Sequence, residues 1–218
     1  AFSNAVMFYN SGNMGLPLIT LVFTGTPYLQ LALTAQITML VFQNVITIVV
    51  GILQAARANL SWQELAKRIA LMPTLWIILL TPLLKLLPMN LQDVPVIWTP
   101  VEYASNGLIG LALLTLGVQL GHSKFSIGDV DVYLATAVRL LGGPILAVLM
   151  LLLFQIRGPL AHVLMISSSV PTAVTTALIA VEFNNEPDFA SQTVLVSTSF
   201  SIISLALVIY AARLIFPI

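Results

Sequence analysis

The sequence predicts an all-α integral membrane protein. The chain of 218 residues is 59% hydrophobic and only 7% charged, and its mean hydropathy is +1.03. Soluble domains carry about 25% charged residues, so a soluble chain of this composition would aggregate. Apolar runs of about 20 residues, the length that crosses a bilayer as a helix, recur along the chain. Two of these runs contain polar, helix-breaking segments.

Seven such runs are predicted as transmembrane segments, joined by short polar turns. They cover residues 2–24, 28–53, 69–88, 100–121, 130–154, 159–182 and 189–214. The longest polar connection, 55–68, is compatible with a helix and carries Trp62 as an interfacial anchor. Its basic residues favour the cytoplasmic face. The chain therefore divides into 1–54, a cytoplasmic linker at 55–68, and 69–218.

The composition argues against several classes of function. The formal net charge is zero and there is no cysteine, so the sequence gives no sign of a nucleic-acid partner or of thiol chemistry. No metal-ligand cluster, nucleophile–base set or phosphate-binding loop is visible. We expect no resident cofactor and no enzymatic activity. Because the first residue is Ala1, we expect an N-terminus that has been processed, truncated or engineered.

The first segment is interrupted by polar and helix-breaking residues. Residues 10–17 read Asn-Ser-Gly-Asn-Met-Gly-Leu-Pro, and asparagine, glycine and proline are poor residues for a helix interior. Freed backbone groups are tolerated at membrane depth where they are buried in protein or line a wet cavity. Interrupted helices of this kind build the substrate sites of secondary transporters. We expect the break near Pro17.

A second interruption lies in the sixth segment, at Ser-Ser-Ser-Val-Pro-Thr over residues 167–172. The two interrupted segments are five crossings apart, so they run in opposite directions, as an inverted-topology repeat requires. Similar turns, 23–27 and 183–187, follow them. We interpret 1–54 as the last two helices of a first repeat, with broken helix 2–24. Residues 69–218 are then a complete five-helix repeat with broken helix 159–182, and three helices are expected before Ala1.

Half-helix N-termini offer unpaired N–H groups and the positive end of a dipole, which together bind carboxylates. The candidate substrate-binding residues beside them are neutral: Asn10, Asn13, Ser168, Ser169 and Thr172. The candidate crossover residues, which would hold the breaks open, are Gly12, Gly15, Pro17 and Pro171. The alternative is that the asparagines and serines only cap broken helices or join helices by hydrogen bonds.

Several other polar residues are weighed individually. Arg139 lies within the fifth segment and is a possible counter-ion for a carboxylate, but the favoured interpretation is snorkelling or pairing with a loop acid. Gln43 and Asn44 are expected to form interhelical hydrogen bonds, and His162 to lie at the surface. Mid-span carboxylates are missing, which weakens a proton relay. Na⁺ or H⁺ is left open as the coupling ion.

The motifs resemble the auxin efflux carrier family, which includes plant PIN-type carriers and bacterial relatives that carry dicarboxylates. Asn10, Gly15 and Pro17 are similar to the family's first crossover motif, and Pro171 with the turn 182–188 to its second. The resemblance implies ten helices in two inverted repeats, with two crossing broken helices and an elevator-like or rocking motion. Thr175-Thr176 departs from the further proline of the plant carriers, so auxin itself is not assigned.

The sequence thus favours a secondary transporter of small organic anions, such as auxin-like acids or dicarboxylates, working by alternating access. We expect a multi-pass protein of a bacterial inner membrane whose partners are the anion, the lipid bilayer and, as a homodimer, a second copy. The alternative is a carrier-derived structural or sensory membrane module that no longer transports. An intramembrane enzyme has little support, because no paired catalytic groups are visible.

Overall fold

The computed structural model describes residues 1–51, 91–122 and 128–217, together with residues 53, 54, 63, 64, 67, 70, 71, 76, 80, 81, 83, 84 and 86. This part of the chain is helical, and its only extended pairing is one isolated bridge. The helices are α1 (Phe2–Met7), α2 (Leu16–Phe23), α3 (Leu29–Ile46), α4 (Pro95–His122), α5 (Val130–Ala137), α6 (Gly143–Leu153), α7 (Gly158–Ser168), α8 (Val174–Glu182) and α9 (Pro187–Ile215).

Three π-helical turns adjoin these helices. Ser11–Gly15 leads into α2, Thr47–Gly51 extends α3, and Val138–Gly142 joins α5 to α6. A π-helical turn widens the helix by one residue and is frequent at functional sites. Each of these turns carries residues that contact the interrupted parts of the chain, as described below.

Helical conformation stops at Met7 and resumes at Ser11. The extended residues 8–10 lie upstream of the position expected near Pro17. Pro17 instead falls within the continuous helical stretch Ser11–Phe23, where the π-helical turn passes into α2. The chain turns at Asn10, whose carbonyl oxygen accepts from the amides of Met14 and Gly15 at 3.3 and 2.9 Å.

In the second interrupted segment, α7 ends at Ser168 and helical conformation resumes with α8 at Val174, and Pro171 lies in the extended stretch between them. Here the two extended stretches meet in an antiparallel bridge between Tyr9 and Thr172. We call this meeting point the backbone crossing, or simply the crossing. The Asn10 amide donates to the Pro171 carbonyl at 2.8 Å, and the Ala173 amide donates to the Phe8 carbonyl at 2.9 Å. Each interruption therefore satisfies backbone groups of the other, as burial demands.

Apolar packing fixes the helices around this crossing. One cluster joins α2, α3 and α7 through Ile19, Phe23, Ala32, Val163 and Ile166. A second joins α6, α7 and α9 through Leu151, Ala161, Met165, Val208, Ala212 and Phe216. Helix α7 belongs to both clusters, so the second interruption is anchored from two sides.

The outer surface of the described helices is strongly apolar. Leu21, Phe42 and Ile202 are 74%, 68% and 74% exposed, an arrangement that suits lipid rather than water. Among the described residues, three helical stretches are long and apolar enough to cross a membrane, namely Leu29–Gly51, Val130–Leu153 and Pro187–Ile215. Seven crossings remain a prediction. Most of the predicted linker 55–68 and of the predicted segment 69–88 lies outside the described residues.

Candidate functional site

A cavity of about 260 Å³ lies beside the backbone crossing. Its lining comes from the start of the π-helical turn before α2, from one face of α3 and from the first turn of α8: Tyr9, Ser11, Gly12, Asn13, Leu16, Leu40, Gln43, Asn44 and Thr175. None of these side chains is ionisable except the phenol of Tyr9. The cavity thus combines neutral amides and hydroxyls with the N-terminal ends of two helical segments.

Those N-terminal ends supply backbone donors. Helix geometry leaves the first N–H groups of a helix without intrahelical acceptors, and Gly12 and Asn13 occupy such positions. On the other side, Thr175 is the second residue of α8. Each end carries a partial positive charge, and helix ends of this kind are where proteins bind anions.

Asn13 and Gly12 are therefore brought to the cavity, and Asn10 stands beside it. Asn10 is 5% exposed and lies between two residues that line the cavity, Tyr9 and Ser11. Within the described part of the chain its side-chain Nδ2 is buried with no hydrogen-bond partner. A buried unpaired polar group is costly, and this donor shares that condition with the Oε1 atom of Gln43, an acceptor in the cavity lining.

Ser168, Ser169 and Thr172, also predicted to bind substrate, do not line this cavity. The hydroxyls of Ser168 and Ser169 each donate to the Met165 carbonyl at 2.7 Å and so cap the end of α7. The Thr172 hydroxyl donates to the Ala5 carbonyl at 2.8 Å, in the last turn of α1. These three residues hold the crossing together, which is the alternative that the sequence left open.

Two glutamines of α3 tie the crossing to the cavity wall. Gln36 is fully buried, donates to the Ser11 carbonyl at 2.9 Å and accepts a hydrogen bond from the Ser167 hydroxyl. It therefore bridges the two interrupted helices. Gly15 makes room for it, because a Cβ at that position would lie 2.5 Å from the Gln36 Nε2 atom.

Gln43 donates to the Tyr9 carbonyl, so it forms the expected interhelical bond while also lining the cavity with Asn44. Residues 36, 40, 43 and 44 share one face of a helix by their spacing. That periodicity, three amides on one side of an apolar helix, is the sequence signal that would have placed Gln36, Gln43 and Asn44 at the site.

Arg139 does not snorkel to a membrane surface. Its side chain is buried, at 6% exposure. Its Nε and Nη1 atoms donate to the carbonyls of Val170 and Val6 at 3.1 Å each, and Nη2 donates to the Ser168 carbonyl. The guanidinium also lies over the Tyr9 ring, 5.1 Å from its centroid. Arg139 is thus a neighbour of the cavity through Tyr9 and not one of its lining residues.

His162 is likewise not at the surface. It is 2% exposed, and its Nε2 atom lies 2.6 Å from the Phe216 carbonyl oxygen. The expectation of a surface histidine was wrong because α7 is covered on both sides by apolar clusters. In the described residues, no three His, Cys, Asp or Glu side chains are placed to hold a metal ion.

Membrane-length helices and an apolar outer surface define an integral membrane protein, and comparison with known sequences gives its family. A family model described as membrane transport protein matches residues 60–209. The chain belongs to this membrane transport protein family. The match agrees with the resemblance to the auxin efflux carrier family, while the PIN-type subgroup remains a prediction.

Two similar proteins are archaeal. An uncharacterized transporter of Methanothermobacter thermautotrophicus is 26% identical over 205 residues, covering 93% of this chain and 65% of its own length. An uncharacterized transporter of Methanocaldococcus jannaschii is 24% identical over 107 residues, covering 49% of this chain and 35% of its own length. The chain thus spans about two thirds of the first relative and one third of the second.

Proposed function

We propose that this protein is a secondary transporter of small organic anions and that the cavity beside the backbone crossing is its binding site. The substrates would be carboxylates such as auxin-like acids or dicarboxylates, moved by alternating access. The site residues are Asn10, Asn13, Asn44 and Thr175. Family membership supports a transporter; the anion, the mechanism and the residues are the proposal.

One observation carries the choice of an anion. The cavity is walled by amides and hydroxyls and receives the N-terminal ends of two helical segments. These ends attract negative charge without a fixed countercharge, so a carboxylate can bind and leave reversibly. A volume of about 260 Å³ suits a small molecule, near the lower end of the usual range for ligand pockets.

In this proposal α1–α2 and α7–α8 are the two broken helices of an inverted repeat. Their crossing would be the pivot of a rocking or elevator-like motion, since the bridge between residues 9 and 172 joins two extended stretches by few hydrogen bonds. We further propose a multi-pass location in the plasma membrane, Na⁺ or H⁺ as coupling ion, and a homodimer.

Binding is the first test. The purified protein in mild detergent would be titrated with indole-3-acetate, benzoate and succinate, and with the neutral analogue indole-3-acetamide, while thermal unfolding is followed. We expect at least one carboxylate to raise the unfolding temperature and the amide to have no effect. Asn13→Ala should weaken carboxylate binding about 5- to 150-fold, the loss of one buried partner.

Gln30→Ala is the matched control, because Gln30 is an exposed amide on the same helix as Asn44. It should leave binding unchanged. Flux of the bound carboxylate into liposomes containing the protein then separates a transporter from a membrane module that binds without moving its ligand. Binding with no flux would favour the module, and equal binding of the amide would remove the anion from the proposal.

A further inference from the structure

The guanidinium of Arg139 sits where three backbone carbonyls converge. Those of Val6 and Ser168 belong to the last turns of α1 and α7, and that of Val170 belongs to the second interruption. The last carbonyls of a helix have no intrahelical partner and carry the negative end of the dipole. The crossing therefore gathers partial negative charge at one point inside the protein.

Among the described residues, Arg139 is the positively charged side chain that contacts these three carbonyls. The guanidinium has no carboxylate partner there; its contacts are the three carbonyls and the Tyr9 ring. A buried cation without a counter-ion is costly, so the carbonyls must compensate it. A ring of backbone carbonyls is also how proteins replace the hydration shell of a free monovalent cation.

We propose that the three carbonyls form a cation site that Arg139 fills permanently, so that its guanidinium acts as a tethered substitute for a free cation at the crossing. The site itself stands on the contacts of Arg139. Its consequence rests on the proposed transport function: anion binding needs no free Na⁺, so that H⁺ is the one of the two proposed coupling ions that fits this site. Arg139 is then a positioning residue that fixes Tyr9 and the two helix ends, and it does not touch the anion.

Gly143 supports this assignment. A Cβ at Gly143 would lie 2.5 Å from the Ser168 carbonyl oxygen and 3.1 Å from the Arg139 Nη2 atom. Only a residue without a side chain lets that carbonyl reach the guanidinium. The π-helical turn Val138–Gly142 holds Arg139 on the same helix one turn earlier, so the cation and the space for its acceptor are built into one segment.

The test asks whether removing the guanidinium leaves a site that takes up a free cation. Arg139→Ala protein in detergent would be heated in guanidinium chloride at up to about 20 mM, with choline chloride holding the ionic strength constant. We expect a lower unfolding temperature than wild type and a rise of about 3–6 °C when guanidinium reaches ten times its Kd. Na⁺ and K⁺ would be titrated in the same way.

Wild type and Arg213→Ala are the matched controls, since Arg213 is an exposed arginine at the end of α9. Neither should gain stability from guanidinium. The proposal is overturned if no monovalent cation stabilises Arg139→Ala more than it stabilises these controls, because the carbonyls would then be no cation site.

A second measurement needs no variant and stays informative if Arg139→Ala fails to fold. Carboxylate binding to wild type would be measured with Na⁺ fully replaced by choline. We expect the Kd to change less than twofold. A tenfold weakening would show that a free cation is required and would overturn the tethered cation. Absence of carboxylate binding in both buffers would instead count against the proposed function, leaving the cation titration to decide this inference.

Discussion

At the scale of the residue, Asn10 combines two properties that seldom occur together. Its backbone amide pairs with the Pro171 carbonyl and its carbonyl accepts from the amides of Met14 and Gly15, while its side-chain Nδ2 is buried and unpaired among the described residues. Backbone and side chain can therefore be separated by mutation. A structural asparagine would use its amide to hold the fold, whereas a binding asparagine keeps the donor for a ligand.

We predict that Asn10→Leu preserves or raises thermal stability and weakens carboxylate binding by about tenfold or more. Removing a buried donor that has no partner relieves its desolvation cost, and the ligand loses one buried hydrogen bond. Unfolding temperature and carboxylate Kd would be measured on the same preparation. A variant that loses stability but binds normally would make Asn10 architectural.

Gln36 gives the opposite expectation. Its amide joins the Ser11 carbonyl to the Ser167 hydroxyl inside the protein. Gln36→Leu removes the acceptor of the buried Ser167 hydroxyl, whereas the Ser11 carbonyl keeps the Leu16 amide as a donor. One unpaired buried group costs about 1–3 kcal/mol, and we predict an unfolding temperature lower by roughly 2–12 °C. Gln30→Ala on the exposed side of α3 should change it by little; equal effects of the two substitutions would contradict the bridging role.

The residues at the site were partly predictable from the sequence. Asn13, predicted to bind substrate, and Gly12, predicted as a crossover residue, stand out as asparagine and glycine in an apolar run, and both lie in the cavity lining. Ser168 and Thr172 stand out equally, yet their hydroxyls are consumed by the carbonyls of Met165 and Ala5. Composition identifies the polar residues at a helix break. It does not tell which of their side chains will form hydrogen bonds with the freed backbone groups.

At the scale of the element, the contact between α6 and α7 depends on one glycine of the adjacent pair Gly142 and Gly143. An added Cβ at Gly143 would meet the Ser168 carbonyl oxygen at 2.5 Å, whereas at Gly142 it would lie 3.8 Å from the nearest atom, Val138 Cγ1 of the same helical segment. Position 143 therefore requires a residue without a Cβ atom, whereas the neighbouring position 142 has room for one.

We predict that Gly143→Ala lowers the unfolding temperature by roughly 2–10 °C, because the α6–α7 contact must open. Gly142→Ala should be neutral or slightly stabilising, since alanine favours a helix over glycine by about 0.5–1 kcal/mol. Thermal unfolding of the pair in detergent decides the matter. Similar losses in both variants would indicate that general helix packing, and not the Ser168 carbonyl, is sensitive here.

Hydropathy predicted the ends of the long helices more accurately than it predicted where the helices are interrupted. The predicted segments 130–154 and 189–214 correspond to helical stretches Val130–Leu153 and Pro187–Ile215. The first break was expected near Pro17 and lies at residues 8–10. Helical conformation continues through Pro17, and the break lies instead where the backbone pairs with residues 171 and 173, which are remote in sequence.

At the scale of the whole molecule, the absence of cysteine makes the native chain a background for site-directed labelling. Thr175 is exposed and lines the cavity. Gln30, near the start of α3, is a polar residue that is also exposed, but it is not part of that lining. A polar thiol reagent can therefore report on the cavity at the first position and on the outer surface at the second.

We predict that Thr175→Cys reacts with a charged methanethiosulfonate reagent and that a bound carboxylate slows the reaction at least fivefold. Gln30→Cys should react at a rate that the carboxylate does not change. The rates would be measured by mass spectrometry on the purified protein. Equal protection at both positions would mean that the carboxylate acts on the conformation of the whole protein and does not occupy the cavity.

The class of protein was accessible from composition alone, because few charges and long apolar runs leave no other stable arrangement for the chain. The family followed from motif order and agrees with the match over residues 60–209. The role of Arg139 was out of reach, since its acceptors lie on three separate stretches of chain. Nothing local to the fifth segment distinguishes it from an arginine that reaches a headgroup.

The hydrogen bond from Thr172 to Ala5 spans 167 positions of the chain, and this has a consequence for biosynthesis. A ribosome adds about 5–20 residues per second, so roughly 10–30 s separate the emergence of the two partners. During that interval the backbone groups of residues 8–10 lack their hydrogen-bond partners at residues 171 and 173. They must therefore stay near water or within the insertion machinery. Helices α1 and α2 therefore enter the bilayer as an unfinished structure, and this region matures only after residues 171–173 have been synthesised.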